Sequence, residues 1–209
     1  MEKTSKIDIF EVLSKKYVNP KCELEFSTAF ELLVAVILSA QCTDKRVNQT
    51  TKQLFQKYNT PKDFADLEQK ELEKMIYSCG FYHNKAKAII ECSKQILEEF
   101  NGEVPNNLED LQSLRGVGRK TANVVYATWF KGDAIAVDTH VYRTSHRLNL
   151  TKSKNVLDCE KDLMKKFPKN EWSRLHYLLV LFGRYQCKSQ NPLCENCEFR
   201  EICTYLNKQ

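Results

Sequence analysis

Four cysteines, Cys187, Cys194, Cys197 and Cys203, are spaced C-x6-C-x2-C-x5-C within seventeen residues near the end of the chain. Thiolates gathered this tightly can close around one metal centre, and that closure dictates the path of the segment that carries them. A pair of disulfides is the alternative. Two features oppose it: the nine cysteines are an odd number, and the polar start Met1-Glu2-Lys3-Thr4-Ser5-Lys6 is no signal peptide. Zinc and an iron–sulfur cluster both accept four thiolates in a tetrahedral array. Zinc ribbons join two C-x2-C knuckles, whereas only Cys194 and Cys197 form one here, so the spacing leans toward the cluster and leaves zinc open. Cys22, Cys42, Cys79, Cys92 and Cys159 stand far apart and read as small structural hydrophobes.

With 209 residues, 42% of them hydrophobic, the chain can bury one good core or two small ones. Its longest apolar run, Leu32 to Leu38, falls far short of the roughly 20 residues that cross a bilayer, which predicts a cytoplasmic protein without membrane contact. Ile7, Ile9, Phe10, Val12 and Leu13 predict a first amphipathic helix. The net charge of +5 is unevenly spread: between Arg115 and Arg147 six Arg and Lys face two acids. A basic segment of that kind suits a polyanion, although a charge run is more often a solvated face.

Glycine is scarce, at six residues, and Gly80, Gly102, Gly132 and Gly183 fall where helical patterns stop. Between Asn84 and Asn101 the series Ala86, Ile89, Ile90, Ser93, Leu97 and Phe100 has helical spacing, with Lys85, Lys87, Lys94, Glu98 and Glu99 assigned to the surface. No sustained two-residue alternation is present. The fold class is all-α, with about nine or ten helices by these stop signals.

The other two glycines share the turn Leu114-Arg115-Gly116-Val117-Gly118-Arg119-Lys120-Thr121-Ala122. One helix, with Pro105, the capping pair Asn106 and Glu109, and Leu108, Leu111 and Leu114, ends before it. A second, carrying Ala122, Val125 and Trp129, begins near Arg119. Glycines here let the backbone approach a ligand and aim helix N-terminal N–H groups at an anion, and Arg119 and Lys120 favour a DNA phosphate over a bare helical hairpin.

This turn with Asn123-Val124-Val125, the later Ala136-Val137-Asp138-Thr139-His140, and the four-cysteine array together resemble the endonuclease III family of DNA glycosylases. Glu31-Leu32-Leu33, Leu38-Ser39-Ala40-Gln41 and Asn101-Gly102-Glu103-Val104-Pro105 extend the resemblance over nearly the whole chain. The resemblance implies a helix-hairpin-helix at 108–127 and a [4Fe–4S] cluster on Cys187, Cys194, Cys197 and Cys203. It implies a six-helix domain at 22–132, a cluster domain from 1–21 with 133–209, and DNA bound across the cleft. The implied substrate is double-stranded DNA containing oxidised pyrimidines or abasic sites, handled by a monomer that is nucleoid-associated when on DNA.

Lys120 falls in the first turn of the second hairpin helix, where the helix N-terminus and Arg119 disfavour an ammonium and favour a nucleophilic amine. The family assigns it attack on the sugar C1′, base expulsion, a Schiff base and β-elimination; by itself it reads as a phosphate contact. Asp138 reads as a helix N-cap, and the family adds stabilisation of positive charge on the sugar and deprotonation of Lys120. A flipped nucleotide leaves a gap to fill. By family position Gln41 is the plug and Phe81, where leucine is more common, the wedge, though Gln41 could cap a helix and Phe81 could be core. Arg115 stands where proline is common and is expected to add a phosphate contact. Gly116, Gly118, Arg119, Thr121, His140 and Arg143 complete the implied DNA contacts. Phe182 has no counterpart in that reading. Two rivals are weighed: a monofunctional adenine glycosylase lacks the nucleophilic lysine and has a further C-terminal domain, and a non-catalytic cluster protein needs neither Lys120 nor Asp138.

Overall fold

The structure, a computed structural model, describes residues 8–207, so Ile7 and the polar start lie outside the described residues. Regular structure among the described residues is all helical, with eleven α-helices, three short 3-10 turns and no strand. None of the described helices is long and apolar enough to cross a membrane. The helix count exceeds the nine or ten predicted because elements such as Pro61–Ala65 are too short to show periodicity. The chain divides into two compact units: Glu23–Gly132, and Met1–Cys22 with Asp133–Gln209, of which residues 8–22 and 133–207 are described.

Helix α1 (Ile9–Lys16) belongs to the split unit. The continuous unit holds α2 (Ala29–Leu38), α3 (Asp44–Leu54), α4 (Pro61–Ala65), α5 (Gln69–Ile76), α6 (Tyr82–Glu99), α7 (Leu108–Ser113) and α8 (Arg119–Thr128), seven helices where six were expected. Helix α2 is buried on every side from Phe30 to Leu38, as a helix apolar all round must be, and packs on α3, α6 and α8. Side-chain caps set the starts. Thr28, Thr43 and Thr60 accept from the N–H groups of Glu31, Arg46 and Asp63, and Asn107 accepts from Asp110. The α7 cap is therefore Asn107 with Asp110, not Asn106 with Glu109: Asn107 is the extended residue at φ −135°, and adjacent asparagines offer the same chemistry to a sequence reading.

Helix α6 departs from its expected face at two places. Ile96 rather than Leu97 enters the core, Leu97 being 37% exposed, and Lys85 is buried at 6% exposure rather than on the surface.

The split unit adds α9 (Thr139–Arg147), α10 (Val156–Lys166) and α11 (Trp172–Tyr185). Helices α1 and α9 pack on α11, and α10 on α9, around Leu13, Ile135, Val141, Leu163, Leu175, Leu178 and Leu179. Gly183 corrects another expectation, because it lies inside α11 and not at its end. A Cβ there would stand 2.9 Å from His140 Cβ and 3.1 Å from Thr144 Cγ2, so the missing side chain is what lets α9 and α11 approach. Phe182, next to it, is a core residue stacked edge-on against Phe199, at 5.4 Å between ring centroids.

Gly183→Ala should destabilise the fold. Overpacking costs about 1–3 kcal/mol and the helix-propensity gain returns at most about 1. A thermal scan should show Tm lowered by about 2–4 °C for each kcal/mol of net loss; an unchanged or raised Tm would mean that the α9–α11 contact accommodates a methyl group.

Candidate functional site

The hairpin is built as its glycines require. Leu114 and Val117 are buried under the turn, and Val117 N–H donates to Leu114 O at 3.0 Å. Gly116 has φ 74°, and a Cβ on it would lie 2.5 Å from Ala88 Cβ in α6, so position 116 admits glycine alone without rearrangement. Gly118 differs. Its φ of −86° suits any residue and a Cβ would meet nothing within 4 Å, but as N-cap of α8 it brings no capping side chain. The first turn of α8 thus presents its N–H groups beside exposed Arg119 and Lys120, a combination of helix dipole and cations that attracts an anion. Thr121 is half-buried behind them. Arg115 is exposed, and its backbone N–H donates to Gln95 Oε1 of α6 at 3.0 Å, a bond that proline at this position could not make.

Gln41 and Phe81 share an unusual backbone. Both are non-glycine residues in the left-handed region, at φ 53° and 46°, a conformation that costs on the order of 1–3 kcal/mol and persists only where the surroundings enforce it. Both are exposed, Phe81 at 64%. The structural alternatives do not hold: Ser39 and Thr43 are the flanking helix caps, not Gln41, and Phe81 is outside the core. Lys85 Nζ reaches the carbonyls just upstream of each, donating to Leu38 O at 2.8 Å and Cys79 O at 2.7 Å.

In the split unit the buried run Ala134–Val137 leads into Asp138, whose Oδ1 accepts from Val141 N–H at 2.8 Å and caps α9 as the sequence predicts. His140 Nδ1 lies 3.2 Å from Arg143 Nη2. Burial pushes the His140 imidazole below its usual value, opposed by the nearby Asp138. Arg143 is tied to the protein itself: Nε donates to Cys187 O at 3.0 Å, Nη2 to Gly183 O at 2.8 Å and Nη1 to Thr139 O at 3.3 Å. Those bonds brace α9 against α11 and the backbone of Cys187.

All four array cysteines line one cavity, with Leu148, Phe182, Leu193, Phe199 and Leu206 as its apolar walls and Arg147 and Tyr205 at its side. Arg147, which the sequence reading passed over, donates from Nη1 to Cys187 Sγ at 3.4 Å and to Lys188 O at 2.7 Å, and stacks over Tyr205 at 4.1 Å. Burial raises the Cys187 and Cys197 thiols, and Arg147 pulls Cys187 the other way. The thiols surround the cavity without meeting at one point: among the described residues no three His, Cys, Asp or Glu side chains are grouped for a single metal ion. Four thiol donors around an apolar chamber fit a thiolate-ligated cluster. None of the nine cysteines is disulfide-bonded. Of the other five, Cys79, Cys92 and Cys159 are buried, with Cys92 pushed up to about 12 and Cys159 to about 11, while Cys22 and Cys42 are only partly buried.

Comparison with known proteins places this geometry. Residues 34–169 match the HhH-GPD superfamily base excision DNA repair proteins. Endonuclease III of Bacillus subtilis (strain 168) is 52% identical over 188 residues, spanning 90% of this chain and 86% of its own. Endonuclease III of Escherichia coli (strain K12) is 41% identical over 208 residues, covering 100% and 99%. A solved trapped endonuclease III–DNA covalent intermediate, an estranged-adenine complex, superposes with a TM-score of 0.94 at 46% identity over 100% of this chain and 99% of that one. The chain belongs to the endonuclease III family, the bifunctional DNA glycosylases and AP lyases of base excision repair.

Proposed function

We propose that this enzyme removes oxidised pyrimidines from duplex DNA and cleaves the resulting abasic site through a Schiff base on Lys120. The observation that carries the reading is the exposed amine of Lys120, held in the uncapped first turn of α8 where a phosphate would bind. Relatives solved in covalent and non-covalent complexes with DNA support it. Lys120 Nζ attacks C1′ of the flipped nucleotide as the N-glycosidic bond breaks and the base departs with the bonding pair. Opening of the sugar ring gives the protonated imine. Loss of the C2′ proton then expels the 3′ phosphate, and water releases the amine.

Asp138 is the carboxylate that steadies positive charge on the sugar and takes the Lys120 proton, while its second task, capping α9, keeps it in place. Gly116, Gly118, Arg119 and Thr121 seat the backbone phosphates, with Arg115 adding a cation at the edge. Gln41 fills the gap opposite the orphaned base and Phe81 wedges beside it. Half-buried His140, two residues after Asp138, and Arg143, braced to the backbone of Cys187, complete the DNA contacts. Cys187, Cys194, Cys197 and Cys203 hold a [4Fe–4S] cluster, which when bound fixes the C-terminal loop. A monomeric, cytoplasmic protein that joins the nucleoid on DNA completes the reading.

Lys120→Gln should keep fold, iron content and damaged-DNA binding, since its side chain is exposed, yet give no borohydride-trapped adduct on an abasic oligonucleotide. Asp138→Asn should retain binding and lose about 10²–10³-fold in base excision, the range for a preorganised electrostatic group. Wild-type rates in either variant would overturn that residue's assignment. Anaerobically purified protein should contain about four irons per chain and absorb visible light, as a thiolate-ligated cluster does; stoichiometric zinc without iron would refute the cluster.

A further inference from the structure

Lys85 is a buried cation whose partners are carbonyl groups at two separate helix ends. Leu38 is the last residue of α2, and Cys79 is the last residue of the 3-10 turn Tyr77–Cys79. Such terminal carbonyls lack helical partners and carry the negative end of the helix dipole, so one ammonium satisfies and joins both. The chain from each anchored carbonyl to an exposed residue is short: Gln41 follows Leu38 by three positions and Phe81 follows Cys79 by two. Backbone bonds hold both exposed residues. Cys42 N–H donates to Ser39 O at 3.1 Å around Gln41, and Lys85's own N–H donates to Phe81 O at 3.1 Å. Thr50 adds a second tie, its hydroxyl lying 2.9 Å from Ser78 Oγ.

We propose that Lys85 is a positioning residue for DNA insertion, its ammonium holding the α2 end and the 3-10 turn at one spacing so that Gln41 and Phe81 enter the duplex as a preorganised pair. This rests on the insertion roles given above to those two residues. An apolar side chain could fill the same space without desolvating a charge, and the cation's cost is offset only by the two bonds that cross-link these segments. Left-handed backbone at both positions needs such external enforcement. Burial pushes the Lys85 ammonium below its usual value, and the thiols of Cys42 and Cys79 oppose that shift, which places both cysteines in the same packed cluster. Lys85 does not touch the reacting atoms in this account; it acts through the two inserted residues.

The test compares borohydride trapping on two substrates: an abasic site in a perfect duplex, which must be opened, and one in an unpaired bubble, which is already unstacked. Lys85→Met keeps the packing volume and removes the ammonium. It should lower the duplex-to-bubble ratio of trapping rates by about 10–100-fold, the scale of a small misplacement of positioning groups. Fluorescence of 2-aminopurine beside the site should lose its rise on duplex binding in the same variant. In a chain already carrying Gln41→Ala and Phe81→Ala, Lys85→Met should change the ratio by less than about twofold, since its effect passes through those residues. A wild-type ratio in Lys85→Met overturns the proposal. A general folding defect gives that same result, because it lowers both rates together. An additive loss in the triple variant overturns it as well. Absence of adduct from the wild-type enzyme on both substrates would refute the proposed lyase function instead.

Discussion

The hydrogen bond from Val141 N–H to the Asp138 carboxylate fixes where α9 begins, and the split unit is arranged around that start. Once the register is set, Arg143 and Arg147 stand one turn apart on the same face, as residues four positions apart must. Both reach Cys187, one at its carbonyl and the other at its sulfur. Gly183 lets α11 close onto the same face, and its carbonyl accepts from Arg143. A carboxylate proposed for chemistry is thereby tied through one helix to the cysteine cavity. Loss of the cap would disturb both, whereas replacing the charge alone would disturb one.

Helix α6 has the corresponding role in the continuous unit. Its N-cap is Phe81, its Lys85 joins the segment leading to Gln41, its Ala88 receives Gly116, and its Gln95 holds the backbone of Arg115. Residues proposed to meet DNA from three separate loops are all referenced to this one helix, whose inner face carries Lys85, Ile89, Ser93 and Ile96. Close packing makes that reference stiff, since interiors at crystal-like density transmit small displacements instead of absorbing them.

What the sequence discloses follows from how local each signal is. The glycine pair, the Asp138 cap and the cysteine array depend on neighbours within a few positions, and their local geometry is visible in the residue order. Gly183 reads as a helix stop because the cause of its small size, His140 and Thr144 of α9, is remote in sequence. Residue type alone assigns Lys85 to the surface, although it shares a stripe with Ile89, Ser93 and Ile96 at spacings of four, four and three. Its partners at Leu38 and Cys79 are set by tertiary packing and leave no local mark. The bonds of Arg143 and Arg147 to Cys187 leave no local mark for the same reason. Phe182, without meaning in the motif, gains one as a wall of the cysteine cavity.

The central claim is that one amine, on an exposed turn of α8, forms the covalent bond to DNA. Proteolysis of the borohydride-trapped adduct on an abasic duplex, followed by mass-spectrometric sequencing, locates that bond directly. The account predicts a sugar adduct on Lys120 in the peptide around Gly118-Arg119-Lys120-Thr121, with other amines unmodified. An adduct on the Met1 α-amino group or on another lysine, with Lys120 intact, would contradict it.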